Sequence, residues 1–430
     1  MFPEDFPVFT PARLAPVRLR RQGQATRTPS PGVGARSREG NRRRLAHALL
    51  RTSIVGRRVG TCAIAVLLAA AASAWVLATE HRDAALDGEY GPRETRAWPV
   101  SPGGGQDVRE DALRRARVRL APPSPTIDLD TIEPPLTCRF IARYPTGTSP
   151  KFDCVLDGGD IVKVKYGRNP EIAAEVAATR LLSALGYAAD RMSLVPKVRC
   201  HGCPRHPFVA MRLLQITGTY SLYPQHGDAD GYSDFSWSAI ERKFDAVPIE
   251  LPEVEGWAWW ELENVDTAAG ATRIELDELR LVAVFLGHWD NKSENQRLVC
   301  LDTPAGNDAR CQRPLLMLQD LGATFGPSKA NLARWATLPI WTDRETCSVS
   351  MKALPFAGGT FPDARITEAA RARVAQHLGA FTDADISGLF AAARFPEHYA
   401  GTDDDRDLAR WVEAFRHRVE QISAAGPCPQ

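Results

Sequence analysis

Three polar side chains in the second half of the chain have the types and the spacing to do chemistry on a phosphate. The segment HWDNKSEN, which begins at His288, follows the pattern H-x-D-x-K-x-x-N, and the tripeptide DLG follows from Asp320. An aspartate such as Asp290 can orient a hydroxyl nucleophile and accept its proton. Asn295 and Asp320 offer the oxygen ligands that Mg²⁺ prefers. Phosphoryl transfer needs little more from a protein than such positioning, so the pattern indicates this chemistry.

Particular elements would have to bring these side chains together. An apolar helix over Asp277–Leu286 is predicted to lead into the first motif, and strands over Gln296–Leu301 and Leu315–Leu318 separate it from the second. The amide and the second acid are 25 residues apart, which exceeds what a tight strand pair needs. A disulfide between Cys300 and Cys311 would shorten this hairpin. As an alternative, the acids and the amide could cap turns in an ordinary polar loop.

The part of the chain before these motifs is predicted to begin with strands. They are expected over Cys138–Tyr144, Lys151–Leu156 and Ile161–Tyr166, and the turn DGGD joins the last two. A helix is predicted from Pro170 to Leu185. The chain therefore begins its folded part with a small sheet and one helix.

The middle and the end of the chain differ in pattern. A buried strand is predicted over Pro207–Leu214, and residues 218–270 are predicted to be irregular. Trp257, Trp259 and Trp260 lie within them, in a patch more typical of a core than of an acceptor-binding surface. The remainder is predicted to be mainly helical, over Ile366–Leu378, Asp383–Ala392 and Asp405–Ala424.

With strands first, then one helix and a mainly helical remainder, the chain resembles the atypical branches of the protein-kinase-like superfamily. The run DLGATFG, from Asp320, is similar to the D-F-G-x-x-F-G of phosphoinositide kinases. The run GTSPKF, from Gly147, looks like the phosphate loop of HipA-like bacterial kinases. An exported location with disulfides is similar to that of the secretory-pathway kinases. The resemblance covers residues 135–330 and implies an α+β, bilobal protein-kinase-like fold with a β-rich N-lobe and a mainly helical C-lobe.

The resemblance also implies cofactors and roles. The cofactors would be ATP and Mg²⁺ or Mn²⁺, and the acceptor a hydroxyl of a protein, glycan or small molecule. The run VKVK aligns with the kinase pattern V-A-I-K at Lys165, whose ammonium would hold the phosphates with Glu175 as its ion-pair partner. Alternation puts Lys163 on the same strand face, and Lys163 and Glu171 are the second choices. The alternative is a solvated edge strand beside an ordinary charged helix.

The remaining roles follow from the same resemblance. The predicted catalytic residues are Asp290, Lys165 and Glu175, and the predicted metal ligands are Asn295 and Asp320. The predicted cofactor-binding residues are Gly147, Thr148, Ser149, Lys151, Lys163, Met211 and Leu213, of which the last two would form a hinge beside adenine. A plain turn and a buried core strand are the alternatives for the loop and for the hinge.

The N-terminal part of the chain has a composition of its own. Residues 1–60 carry 13 arginines and no lysine against three acidic residues, a net charge of +10, and are predicted to be a disordered basic cytoplasmic tail. The whole chain is +1, so the rest sums to about −9, which argues against a nucleic-acid-binding body. Thr61–Thr79 has no charged residue over 19 positions and is predicted to be a single transmembrane anchor. Arginines precede it, which predicts that the catalytic domain lies outside the cytoplasm. A cleaved signal peptide and a buried helix are the alternatives.

After this anchor we predict a linker, 80–131, an N-lobe with its hinge, 132–215, and a C-lobe with a Trp-rich insertion, 216–430. Three other functions stay open. The chain could be a pseudokinase or an anchored binding scaffold, or an enzyme that binds the nucleotide reversed and transfers AMP. It could also be a cytoplasmic HipA-like kinase in which the apolar segment is not an anchor.

Eight of the nine cysteines lie beyond the apolar segment, an even number that is typical of disulfides in an exported domain. Sequence proximity favours Cys138–Cys154 and Cys300–Cys311, which leaves Cys347 to pair with Cys428. The run CHGC from Cys200 has half of a zinc-binding pattern. Because no second such pair supplies the other ligands, a local disulfide is favoured over a metal.

Overall fold

The computed structural model describes residues 105–129, 132, 134–218, 231–251, 254–302, 310–327, 329–354, 358–398 and 406–429. The predicted tail and anchor, residues 1–79, lie outside these ranges, so membrane attachment and cellular location stay predictions. Within the described ranges, no helix is both long enough and apolar enough to cross a membrane.

The fold is mixed α+β, with a β-rich part up to Arg242 and a mainly helical part after it. The described helices are α1 (Gly105–Arg115), α2 (Pro170–Ala184), α3 (Pro207–Thr217), α4 (Arg273–Leu286), α5 (Leu332–Thr337), α6 (Glu368–Gly379), α7 (Asp383–Ala392), α8 (Phe395–His398) and α9 (Leu408–Ser423). The strands are β1 (Leu136–Ile141), β2 (Lys151–Leu156), β3 (Ile161–Lys165), β4 (Arg191–His201), β5 (Tyr232–Arg242), β6 (Val247–Pro248), β7 (Gln296–Cys300), β8 (Pro314–Leu318), β9 (Ser348–Val349) and β10 (Ala364–Arg365).

Strands β1 to β5 form a closed barrel in the order β1-β2-β3-β5-β4, and the parallel pairing of β1 with β4 closes it. The rings of Phe152, Tyr166 and Phe235 meet in its interior with centroids 4.8 to 5.6 Å apart. The disulfides Cys138–Cys154 and Cys200–Cys203 join the same core, and the predictions of both pairs are confirmed. Such cross-links stabilise a small core mainly by restricting the unfolded chain.

Strand β5 lies in a region that was predicted to be irregular, and there the prediction was wrong. The strand begins with YSDFS, in which polar residues take positions that a half-buried strand usually gives to apolar ones. Its neighbour β4, which was not predicted, supplies the partners: Arg199 lies opposite Asp234, and Lys197 opposite Ser236. Cross-strand ion pairs between charged side chains thus take the place of the apolar alternation that marks a strand in sequence.

Helix α3 replaces the buried strand that was predicted over Pro207–Leu214. Pro207 stands at its first turn and Gly218 ends it in the left-handed region at φ 68°, which is the usual start and stop of a helix. A short apolar run does not distinguish a strand from a helix, and the flanking residues outweigh it here. Met211 is buried, but Leu213 is 59% exposed, so the segment is not the predicted hinge.

Helix α2 is buried on almost every side. Pro170 opens it, and the Asn169 side chain caps it by accepting a hydrogen bond from the Glu171 N–H at 3.1 Å. Its many alanines let β4 approach on one side and helices α7 and α8 on the other. A helix that is apolar all round fits only such an enclosed place, and from it α2 can present its acidic residues between the two parts of the fold.

Helix α4 forms the centre of the helical part and delivers the chain to His288. Thr272 and Glu275 form a reciprocal cap at its start, and every residue from Leu276 to Leu286 is buried. Gly287 ends the helix at φ 67°. Helices α6 and α9 pack around this region, and the predicted disulfide Cys347–Cys428 is present there.

The predicted linker contains part of the folded body. Ala112 and Leu113 of α1 are buried, and Arg109 forms a two-pronged ion pair with Glu261 at 2.8 and 2.9 Å. The Trp-rich region lies beside this contact: two of its three rings are buried in the core, as predicted, and Trp260 is 55% exposed. The folded chain therefore begins well before residue 132.

Candidate active site

The end of helix α4 positions the segment of the first motif. The backbone N–H of His288 donates to Ala283 at 3.0 Å, which continues the last turn of the helix past Gly287. The imidazole is fully buried, and burial lowers the pKa of His288 to about 4. A neutral, enclosed imidazole supports the loop from below.

Asp290 stands two residues further on, at the edge of a cleft. The Asn295 amide donates to the Asp290 backbone carbonyl at 2.6 Å and thereby fixes the loop. The Oδ1 atom of Asp290 is buried and accepts no hydrogen bond from the described residues. Burial raises the pKa of Asp290, and Lys292, 3.9 Å away, opposes that shift. A buried carboxylate oxygen with no partner is costly unless a ligand supplies the donor.

The segment with Asp320 leaves strand β8 at the same end of a hairpin. Strands β7 and β8 pair from Gln296 opposite Leu318, and the Gln319 N–H donates to the Asn295 carbonyl at 2.9 Å. The predicted Cys300–Cys311 disulfide closes the long connection between them. Asn295 and Asp320 can therefore lie at the same end of the hairpin, although 25 residues separate them in the sequence.

The backbone at Asp320 is strained. Its φ is +49°, in the left-handed region that aspartate adopts at a cost, and its side chain is 56% exposed. A β-carbon on Gly322 would lie 3.2 Å from both the carbonyl oxygen and the β-carbon of Glu171, so glycine is needed where the segment meets α2. The hairpin and the helix thus hold the carboxylate of Asp320 at the cleft.

Lys165 lies on the barrel side of the cleft between two carboxylates. Its ammonium is 2.5 Å from the Glu175 carboxylate of α2 and 3.3 Å from that of Glu241 on β5. Its distance to the Asp320 carboxylate is 4.0 Å. Burial alone would lower the pKa of Lys165, but the carboxylates outweigh it and raise that pKa, so the group stays charged. The predicted pairing of Lys165 with Glu175 is present in the geometry.

The loop from Gly147 to Ser149 covers one end of the cleft. Gly147 has φ +69°, and its carbonyl accepts a hydrogen bond from Arg212 of α3. The Ser149 hydroxyl donates to the Glu171 carboxylate. These contacts tie the loop to two helices, so its backbone is held over the cleft.

Lys151 is the cross-strand neighbour of Lys165 and lies under the same loop. A β-carbon on Gly147 would come within 3.2 Å of its nitrogen. Burial lowers the pKa of Lys151, and repulsion from Lys165 and Lys163 lowers it further. No carboxylate among the described residues lies within 4 Å of this ammonium. The end of the cleft beneath the loop therefore has a positive charge that can bind an anion.

These side chains surround one cleft of about 280 Å³. Its lining comprises Gly147, Thr148, Ser149, Lys151, Lys165, Glu171, Ile172, Glu175, Trp289, Asp290, Lys292, Asp320, Gly322 and Ala323. Four of the predicted site residues do not line it: Asn295 lies one layer behind, Lys163 is paired with Glu241, and Met211 and Leu213 are on helix α3.

Two contributors to the site were missed in the sequence. Lys292 lies inside the first motif and could have been found from its place there. Glu241 could not have been found from the sequence, because its role depends on the register that sets it opposite Lys163 across β3 and β5.

Comparison with known proteins shows a distant similarity to solved structures. No family model matches the chain, and no curated protein matches it. Among solved structures, the chain is similar to the Helicobacter pylori proinflammatory kinase CtkA, with a TM-score of 0.37, 11% sequence identity, and coverage of 70% of this chain and 96% of that one. A similarity this distant does not assign a function, so the chemistry of the site is inferred from its geometry alone.

Proposed function

We propose that this chain is a metal-dependent phosphotransferase with a kinase-like bilobal fold, which moves the γ-phosphoryl group of ATP to a hydroxyl group. One observation carries the proposal. The ion-paired Lys165, the partnerless Oδ1 of Asp290 and the strained Asp320 all face one cleft, which also contains the Lys151 ammonium with no described carboxylate within 4 Å. Four carboxylates and three ammonium groups line this one cleft, and so many charged groups suit a metal–phosphate complex better than an apolar ligand.

The positive groups would bind the donor. Lys165, held by Glu175, would contact the inner phosphates as a fixed point charge. Lys151 would neutralise charge beneath the loop, where its own ammonium otherwise repels its neighbours. The N–H groups of the Gly147–Ser149 loop would add hydrogen bonds from above.

The donor set near Asp320 fits Mg²⁺. A half-exposed carboxylate and the nearby amide of Asn295 offer hard oxygen atoms, and Mg²⁺ usually takes only one or two protein ligands beside waters and phosphates. Held by these residues, the ion would neutralise the negative charge that develops on the phosphate during transfer. The left-handed conformation of Asp320 holds its carboxylate in readiness for this role.

Asp290 would handle the proton. An acceptor hydroxyl that donates to the partnerless Oδ1 would be oriented toward the γ-phosphorus. As the new oxygen–phosphorus bond forms and the bond to the β-phosphate oxygen breaks, the hydroxyl proton would pass to Asp290. Its raised pKa makes it a stronger base than an exposed aspartate.

The test is transfer of label from γ-labelled ATP by the purified full chain with Mg²⁺, with candidate acceptors present. Asp290→Ala should lower the rate about 10²–10⁴-fold, the usual contribution of a general base. Asp320→Ala should abolish the metal-dependent rate. Asp157→Ala is the matched control, because that carboxylate is exposed in the turn at the far end of β2; it should leave the rate unchanged.

Undiminished labelling by both cleft variants would refute the assignment. The mass of the modified acceptor distinguishes the two orientations in which the donor could bind. A gain of one phosphoryl group supports the proposal, and a gain of AMP supports the reversed alternative.

A binding scaffold is the second candidate, and one observation favours it. Asn295 does not line the cleft, and its amide nitrogen is engaged by the Asp290 carbonyl, so the metal site depends chiefly on one carboxylate. A thermal shift with Mg²⁺ and nucleotide but no turnover would support this candidate over the enzyme.

We also propose that the protein is anchored by Thr61–Thr79 with its catalytic part outside the cytoplasm. The four disulfides among the described residues support an oxidising location. Alkylation of the native protein before reduction measures free thiols. Eight labelled thiols in the body would contradict this location and favour the cytoplasmic alternative.

A further inference from the structure

Two of the disulfides lie against each other inside the barrel. Cys138–Cys154 joins β1 to β2, and Cys200–Cys203 closes the turn at the end of β4. The Sγ atoms of Cys154 and Cys200, which belong to different disulfides, are 3.8 Å apart. Those of Cys138, Cys154 and Cys200 all lie within 4.8 Å of one another. We call these four residues the sulfur cluster.

The pairing of the strands assembles the sulfur cluster. Cys138 lies opposite Cys200 across the parallel pair β1–β4, and Cys154 lies on β2, the other neighbour of β1. All three residues are fully buried in the core of the barrel. Gly202, at φ +71°, turns the chain so that Cys203 returns to the Sγ atom of Cys200. Four sulfurs from three separate stretches of the chain therefore meet in one place.

The spacing of the sulfur cluster fits a zinc site with four thiolate ligands. Zn²⁺ binds four cysteine sulfurs at about 2.3 Å in a tetrahedron, which sets neighbouring sulfurs about 3.8 Å apart. The sulfurs of Cys154 and Cys200 are separated by this distance. Cys200 and Cys203 also have the C-x₂-C spacing of such sites. Cys138 and Cys154 supply, through the fold, the second pair of ligands that no sequence pattern predicts.

The remaining disulfides of the described ranges do not form a set of this kind. Beside Cys300 and Cys311 lies the carboxylate of Asp302, which already accepts hydrogen bonds from two backbone N–H groups. Cys347–Cys428 belongs to no cluster of potential metal ligands among the described residues. This last pair is therefore suited to serve as a control.

We propose that the sulfur cluster is a second binding site of this protein, which takes one Zn²⁺ when its two disulfides are reduced. Each S–S bond then takes up two electrons, from a thiol or phosphine reductant, and two protons, and gives two thiols. Cys203 is the partly exposed member of the cluster, so reduction can begin there. Zn²⁺ binds the four thiolates, and the four thiol protons pass to solvent.

The two states of the sulfur cluster exclude each other, because the disulfides and the metal need the same sulfurs. They also differ in what they connect. The disulfides join β1 to β2 and close a local turn, whereas the metal would link β4 to both of these strands. This inference does not depend on the phosphotransferase, and either proposal can fail without the other.

Metal binding by the purified full chain, before and after reduction, tests the inference. With a phosphine as reductant, the reduced chain should retain one Zn²⁺ through desalting, and the oxidised chain none. Co²⁺ in place of Zn²⁺ should give the visible and sulfur-to-metal charge-transfer absorption of a tetrahedral thiolate site. Saturating Zn²⁺ should raise the melting temperature of the reduced chain by about 5 °C or more, because the metal binds the folded arrangement more tightly than the unfolded chain. A reduced chain that retains no metal would overturn the inference.

Variants show whether the metal lies at the sulfur cluster. Cys200→Ser combined with Cys203→Ser should abolish the thiolate absorption of the Co²⁺ form. Cys347→Ser combined with Cys428→Ser is the matched control, since it also removes one disulfide and two thiols, and it should keep the absorption and the stoichiometry. Loss of metal in the control, or its retention in the cluster variant, would place the ion elsewhere and overturn the inference.

Thermal melting establishes that each variant is folded. If the cluster variant does not fold, the control decides the matter. A four-thiolate spectrum in a chain without Cys347 and Cys428 would support the sulfur cluster, and a spectrum without thiolate bands would refute it.

Discussion

Lys165 and Arg418 are both buried cations, yet they are neutralised in different ways. Lys165 lies at the cleft and contacts the carboxylates of Glu175 and Glu241. Arg418 of α9 is fully enclosed in the helical part, where no described carboxylate pairs with it. It donates instead to backbone carbonyls of Val284, Phe285, Trp335 and Leu338 at 2.5 to 3.0 Å.

The difference teaches what each cation is for. Val284 and Phe285 belong to the last turn of α4, where the carbonyls and the helix dipole attract a positive group. Arg418 thus fixes the start of the loop that contains Asp290, and burial lowers the pKa of Arg418 to about 9. The backbone carbonyls that surround Arg418 have fixed positions. The carboxylates beside Lys165 belong to side chains, so the ammonium between them can also contact a phosphate. We therefore expect Arg418 to govern stability and Lys165 to govern donor binding.

Lys165→Arg is expected to lower the transfer rate strongly while leaving stability nearly unchanged. The change keeps the charge that Glu175 and Glu241 need, so the melting temperature should stay near that of the wild type. The planar guanidinium cannot take the place of a compact ammonium, and the transfer rate should fall about 10³-fold, roughly 4 kcal/mol. Labelling kinetics and thermal melting on the same sample measure both. A large loss of stability with little loss of rate would reverse the comparison.

Arg418→Lys is expected to show the opposite result. A lysine at this position cannot reach four carbonyls with one ammonium, so several buried acceptors lose their donors. The free energy of unfolding should fall by about 2–4 kcal/mol, while the rate per folded molecule changes little. Denaturant unfolding gives the first quantity. Arg410→Met is the control on the exposed side of the same helix and should change stability by no more than about 0.5 kcal/mol.

Asp290→Asn extends the comparison to a buried anion and has a small expected effect on stability. The pKa of Asp290 is raised in the folded protein, so its ionised form costs stability above that pKa, and the cost disappears as the pH falls through it. The variant should therefore be more stable than the wild type at pH 7 and lose this advantage in acid, while transfer is lost. Melting curves at several pH values measure the change.

The pH profile of the wild-type enzyme provides the companion test for Asp290. Transfer should increase as the pH rises through the raised pKa, because only the ionised carboxylate can accept the proton. A rate that is independent of pH from 4 to 8 would argue against Asp290 as the base.

Local chemistry explains which parts of the fold could be predicted. The bounds of β2 were predicted as observed, because glycine and aspartate define the turn after it, and α2 was found from its proline and its apolar run. Helix α3 was mistaken for a strand, since eight mostly apolar residues are compatible with either element. Strands β4 and β5 carry too many charged and polar residues to show alternation, and each depends on the other for its partners.

The candidate site likewise combines residues that the local sequence predicts with a residue whose place depends on strand pairing. Asp290, Asp320, Lys165 and Glu175 were predicted from sequence spacing and a family resemblance, and the fold brings them to one cleft. Glu241 comes from a strand that was not predicted, and its contact with Lys165 exists only through pairing across the barrel. The prediction of Met211 and Leu213 as hinge residues was wrong for the same reason. Strand β5, which leads from the barrel to the helical part, was not predicted.

The dense packing of helix α2 has a consequence for control. Its alanines touch the barrel on one face and helices α7 and α8 on the other, so the helix cannot swing outward without opening two interfaces at once. The packing on both faces therefore holds Glu175 beside Lys165, and moving this carboxylate away from the ammonium would require breaking both interfaces.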